Sequence, residues 1–227
     1  MRHPATKALY AYWNEVRGER LAPRRLEIQP ARIAELLLDT FILERADKGA
    51  FRFRLAGTRV AARFEAPLKA NDFLSCWGEG DRALLAHHLA AISDLGRVGL
   101  FTGEADRLQG LHDRAPSGPV PFELLVLPLL HTGDAIDRLL CLLVPIEEGG
   151  GAPAREPAFR RLRLLAAEAV WPNGAPDDPL AFSDRQTPLR PNVRMARIVR
   201  QGRRQFRVYQ GGLETAAAED KGKGNGL

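Results

Sequence analysis

The chain has 227 residues, 45% of them apolar and 27% charged, which allows one substantial core with appendages. Its longest apolar runs, 124–130 and 139–146, are too short to cross a bilayer, and no apolar stretch follows Arg2, so neither a transmembrane segment nor a secretory signal is expected. The net charge of +5 is unevenly placed: Arg185–Leu213 holds eight arginines and no acid, so the first 184 residues are net acidic.

Ala5–Arg17 is predicted to be a helix, with Leu9, Tyr12, Trp13 and Val16 at helical spacing and Gly18 as its stop. Two prolines break Leu21–Pro30, and Arg32–Leu38 reads as a short helix. Thr40–Arg45 and Phe51–Ala56 form a hairpin turned at Lys48-Gly49, with Phe51, Phe53 and Leu55 on one face and Arg52 and Arg54 on the other. A helical turn is expected near Val60–Phe64. Glu79–Leu95, closed by Gly96, carries the clearest helical period. There Leu84, Leu85, His88, Ile92 and Leu95 share an arc of about 100°.

Val98–Glu104 is a third strand. After the turn-rich stretch Gly110–Pro121 come strands Phe122–Leu130 and Leu139–Pro145, joined at Thr132-Gly133-Asp134. Their leucines would also suit helices; flanking prolines, short length and the glycine turn favour strands. Glu147–Pro157 is a Gly/Pro linker and Phe159–Val170 reads as one more helix. Beyond Trp171, Pro, Gly and charge leave little expected structure apart from a short strand at Gln205–Tyr209.

Two groups of strands thus flank a helical insert, which must cover one face of an antiparallel sheet. Trp13, Arg17, the segment Phe51–Thr58, Asn71-Asp72-Phe73, Trp77 and Leu127-Pro128-Leu129 resemble a family of stand-alone bacterial PAS-domain proteins. The ending Phe206–Gly212 is similar to a short terminal motif of such proteins, and the resemblance covers residues 6–146 plus that ending. One departure is Phe64-Glu65, where the family has glycine after the phenylalanine.

The resemblance implies an α+β PAS fold, a five-stranded antiparallel sheet with helices on one face, preceded by an N-terminal helix and followed by a flexible basic C-terminal tail. It divides the chain into a helix (1–21), the PAS domain (22–146), a linker with one helix (147–184) and a basic tail (185–227). It also implies a cytoplasmic bacterial sensor or adaptor that acts through a partner signalling protein.

Phe53, Leu55, Trp77, His88 and Phe101 are expected to approach one ligand cavity beneath the sheet. Arg54, Gly57 and Thr58 form the most specific part of the resemblance. Arg54 would bind an anion or partner carboxylate; the plainer reading has Gly57 supplying an unusual backbone conformation and Thr58 capping the next helix. Haem-binding PAS domains carry their axial histidine on the long helix, so His88 raises haem, against the plainer reading of a core histidine. Cys76 invites comparison with flavin-reactive thiols, but the surrounding motif is absent and a buried thiol beside Trp77 reads better. Cys76 and Cys141 make neither a disulfide framework nor a zinc pattern, and no metal site is expected.

Arg190, Arg194, Arg197 and Arg200 are anion-binding candidates for nucleic acid, anionic lipid or a cyclic dinucleotide, against the plainer reading of a solvated tail. No nucleophile elbow, phosphate loop or His-Glu-x-x-His occurs, so no enzyme is expected. Finally, the two leucine-rich strands are apolar on both faces, so the second face needs cover. The N-terminal helix with Leu9, Tyr12, Trp13 and Val16 is the nearest candidate for that cover, but its short stripe is expected to leave leucines over, so Trp13, Leu125, Leu127 and Leu143 are interface candidates, for a homodimer or a partner protein.

Overall fold

The predicted hairpin at 40–56 opens a six-stranded antiparallel sheet in the computed structural model, which describes residues 1–46, 49–64, 68–108, 118–131, 133–146, 158–174, 197–201 and 204–208. The strands are β1 (Thr40–Arg45), β2 (Phe51–Ala56), β3 (Val98–Arg107), β4 (Val120–Leu130), β5 (Ile136–Pro145) and β6 (Phe159–Val170), in the order β2-β1-β5-β4-β3-β6. Helices α1 (Pro4–Arg17), α2 (Thr58–Phe64) and α3 (Glu79–Leu95) join them, with 3-10 turns at Arg25–Glu27, Pro30–Asp39 and Phe73–Cys76.

The architecture is α+β, with two departures from expectation. The sheet has six strands rather than five, because Phe159–Val170 is a strand and not a helix. Its arginines, leucines and alanines are good helix formers, yet the segment pairs with β3 from Phe159↔Arg107 to Val170↔Val98. Helices also cover both faces rather than one. The inner face, with Phe41, Phe53, Phe101, Phe122 and Leu143, packs under α2 and α3. The outer face, with Val98, Leu100, Leu125, Leu127, Leu140 and Leu142, packs under α1 and the Pro30–Asp39 segment.

That double cover explains the two strands that fail to alternate. Every residue from Phe122 to Leu129 on β4 and from Arg138 to Val144 on β5 is buried, as expected of strands enclosed on both sides. Within α3 the buried line is Leu85, Leu89 and Ile92, so Leu84 turns outward and is 51% exposed. The expected arc is rotated by part of a turn.

Residues 1–176 form one compact unit and residues 177–227 a second. The second contains a hairpin, β7 (Arg197–Gln201) with β8 (Arg204–Val208), where the sequence pattern suggests a single short strand. Arg190 and Arg194, Lys48, Glu65, Thr132, the Glu147–Pro157 linker and all of 175–196 and 209–227 lie outside the described residues.

Candidate functional site

Beneath the inner face an aromatic train runs from the hairpin to the centre of the sheet. Phe53 of β2 meets Phe41 at 5.3 Å and Phe73 at 5.5 Å; Phe73 meets Trp77 edge-on at 5.8 Å, and Trp77 meets Phe122 at 5.8 Å. The turn carrying Phe73 and Trp77 is fixed by Asp72, whose carboxylate accepts from the Leu74 and Phe51 N–H groups. Trp77 is fully buried and, among the described residues, its indole N–H has no hydrogen-bond partner. An orphaned buried donor costs about 1–3 kcal/mol and marks a place where a bound acceptor would be welcomed.

Of the five expected cavity residues, Phe53, Trp77 and Phe101 share this inner core. Leu55 does not: it is 59% exposed. A bulge is the reason. Leu43 pairs with Phe53 but Ile42 pairs with Leu55, which leaves Arg54 as the extra residue and throws Leu55 to the other face. His88 also departs from the centre of the arc and stands half-exposed on the rim, its ring edge-on to Phe101 at 5.7 Å. Burial, then the neighbouring Arg97 and His87, lower its pKa from the ordinary 6.5.

The thiol of Cys76 is pushed up to about 11, chiefly by burial, which keeps it protonated and weakly nucleophilic at neutral pH. Cys141, wholly buried on β5, is pushed up for the same reason.

The Arg54–Thr58 motif makes contacts within the fold. Arg54 pairs with Glu44 at 3.0 Å, and Glu44 also holds the buried Arg138 at 2.8 Å. Gly57 does not adopt the expected unusual backbone, since its φ lies outside the left-handed region. It is required because a Cβ there would sit 2.2 Å from the Leu37 carbonyl oxygen and 2.4 Å from that of Leu38. Its own carbonyl accepts the first helical bond, from Ala61 N–H, so Gly57 rather than Thr58 caps α2.

The interface candidates are consumed within the chain. Trp13, Leu125, Leu127 and Leu143 are all fully buried, and Leu143 belongs to the inner face whereas the others belong to the outer. The Trp13 indole N–H donates to the Pro128 carbonyl at 2.9 Å.

Several buried charges escaped the sequence pattern, Arg63 and Glu123 among them. Arg63 of α2 reaches the Leu143 carbonyl and pairs at 2.7 Å with Asp39, which also holds Arg59. Glu123 of β4 lies under the start of α1 and accepts from the Arg2 and His3 N–H groups. Glu123 was findable: a lone acid amid 120–130, on the same side as Leu125 and Leu127, demands donors on the covered face. Away from the core, a cleft of about 370 Å³ is lined by Arg20, Leu21, Ala22, Arg24, Leu130, Asp134 and Ile136. The Arg20 guanidinium there is spent on Glu27 and on the Val16 and Arg17 carbonyls.

Sheet order, helical insert and aromatic interior together describe one family, and its sequence profile, that of the PAS domain, matches residues 1–144. The chain belongs to the PAS-domain family. No curated protein matches it. PAS domains are non-catalytic sensory modules, and no group of three or more metal-ligating side chains occurs among the described residues. No helix among them is long and apolar enough to cross a membrane. The profile ends at Val144, so β6 and the β7–β8 hairpin are additions to the PAS core of this chain.

Proposed function

We propose that the protein is a stand-alone PAS sensor or adaptor that signals by docking a partner protein in the bacterial cytoplasm, with a small ligand bound in the inner core as the gate. One observation carries the reading. The PAS-domain profile over residues 1–144 supports sensing, and the strand and hairpin described beyond it offer surface through which its effect is passed on by binding. The orphaned Trp77 N–H supports the ligand gate, because an acceptor on a small molecule would satisfy it. The test is native mass spectrometry and absorption spectroscopy of the protein isolated from its host, followed by identification of co-purifying proteins. A stoichiometric partner is the expected result. A chain that arrives with no ligand and no partner defeats the proposal.

A second reading has the chain binding an anionic polymer, a cyclic dinucleotide or a membrane surface. The arginines at 197, 200, 204 and 207 of the hairpin support it. Steep loss of binding between 50 and 200 mM salt (values of the order used for polyanion titrations) would favour it; partner docking through apolar surface would change little.

A further inference from the structure

The two edges of the sheet are treated differently. Along β2, Phe53 N–H donates to the Asn71 carbonyl at 3.0 Å and Ala70 N–H returns a bond to the Phe53 carbonyl at 2.8 Å, so residues 70–72 close that edge. Along β6 the first half is closed as well. Gly78 N–H donates to the Leu162 carbonyl at 2.9 Å, and the Asp81 carboxylate accepts from Leu164 N–H at 3.0 Å.

Beyond Leu164 the closure stops. Leu162 and Leu164 pair with Ala105 and Gly103 of β3; continuing by every second β3 position, Ala167 pairs with Phe101 and Ala169 with Gly99. Ala167 and Ala169 therefore turn their backbone groups to the same outer edge. Among the described residues nothing bonds them there. Residues 165–169 are all exposed, Leu165 by 62%, and Leu84 stands exposed one turn along α3 from Asp81. A bare edge flanked by exposed leucines is a template for another strand.

We propose that the open half of β6 docks an extended, basic segment of a partner protein by strand addition. This names the docking surface for the adaptor reading above and rests on it. Charge selects the occupant. Glu168, on the face opposite Ala167, is exposed and no lysine or arginine pairs with it among the described residues. A second copy of the chain fits poorly. A two-fold strand pairing confined to 165–170 sets the two Glu168 carboxylates opposite or diagonal to each other, which is destabilising. A strand with lysine or arginine opposite Glu168 and small apolar residues toward α3 meets both features.

The probe is a fluorescein-labelled heptapeptide of alternating lysine and valine, measured by anisotropy on the full chain. Glu and N-methylated versions of the same peptide serve as comparisons. The lysine peptide is expected to bind, and Glu168→Lys to weaken it by about threefold or more while favouring the glutamate version. N-methylation of alternate residues, or Ala167→Pro, is expected to abolish binding. Equal binding of the lysine peptide by wild type and Glu168→Lys, or full binding of the N-methylated peptide, overturns the assignment, as does self-association that Ala167→Pro removes. A host partner captured equally by wild type and Ala167→Pro overturns the edge while leaving the adaptor reading standing. Edge-specific peptide binding without any host partner supports the edge and defeats that reading.

Discussion

The inner and outer faces of the sheet are both sealed, but by different means. The inner face is aromatic: Phe53, Phe73, Trp77 and Phe122 meet edge to face with Phe41 tilted against them, and among the described residues the Trp77 indole N–H is unspent. The outer face is aliphatic, and its cover is pinned by polar bonds, Trp13 to the Pro128 carbonyl and Glu123 to the start of α1. Apolar area supplies cohesion on both sides, and directional bonds position both covers: on the inner side Arg63 of α2 donates to the Leu143 carbonyl and Asp81 of α3 accepts from Leu164 N–H. The difference that remains is in the side chains: the inner face is built of rings and the outer one of leucines and valines.

The largest effects should come from emptying either face. Phe53→Ala and Trp13→Ala are each expected to cost about 3–5 kcal/mol in urea unfolding, since both side chains are fully buried. Trp13→Ala costing under about 1 kcal/mol would mean that α1 is an ornament rather than half of the core. Next comes Gly57, where the chain passes from β2 into α2 against the backbone of Leu37 and Leu38. Gly57→Ala drives a methyl group into the Leu37 and Leu38 carbonyls, and about 1–3 kcal/mol of destabilisation is expected.

Glu123 sharpens the contrast through pH. Burial raises its pKa, but the Thr6 hydroxyl, the Arg2 and His3 N–H groups and the N-terminal ammonium together outweigh burial, and the net shift is downward from 4.5. A folded pKa below the unfolded one means that the stabilisation is complete above 4.5 and is lost as pH falls through the depressed folded value. Glu123→Gln is therefore expected to flatten the acid limb of a melting-temperature profile between pH 6 and pH 3 (a range of about three units chosen around that carboxylate). An unchanged acid limb would remove Glu123 from the pinning of α1. Leu55→Ala, in contrast to Phe53→Ala two residues earlier, should stay within about 0.5 kcal/mol of wild type, because the bulge has already put Leu55 in water.

That pair of neighbours shows what alternation can and cannot disclose. Phe51 and Phe53 point inward as period two requires, and the strand that carries them was plain in the sequence. The extra residue at Arg54 has no local signature, because its cause is the register with β1 and the close pass of Gly57 under Leu37. The segment 159–170 departs from its helical expectation for a similar reason. Its residues favour helix locally, and only the vacant edge of β3 makes it a strand. In α3 the leucines at 84, 85, 89 and 95, with alanines on every side, fit more than one apolar arc, and the sheet chose the one through Leu89. The aromatic interior was largely legible; the outer cover was not, since an apolar second face does not say whether α1 or another molecule seals it.

The smallest effect probes the rim between the faces. His88 is edge-on to Phe101, and the Arg97 guanidinium lies 3.4 Å from its Nδ1. Burial first, then Arg97 and His87, disfavour the imidazolium, so its NMR titration midpoint is expected below 6.5. The native state then binds fewer protons than the unfolded chain between that midpoint and 6.5, and stability rises slightly with pH across the window and levels off above it. Arg97→Ala should move the midpoint back toward 6.5 without restoring it fully, because burial is the larger cause. A midpoint at or above 6.5 in the wild-type protein would show that water reaches the ring as freely as on the open surface, and the inner face would then end at Phe101 instead of at His88.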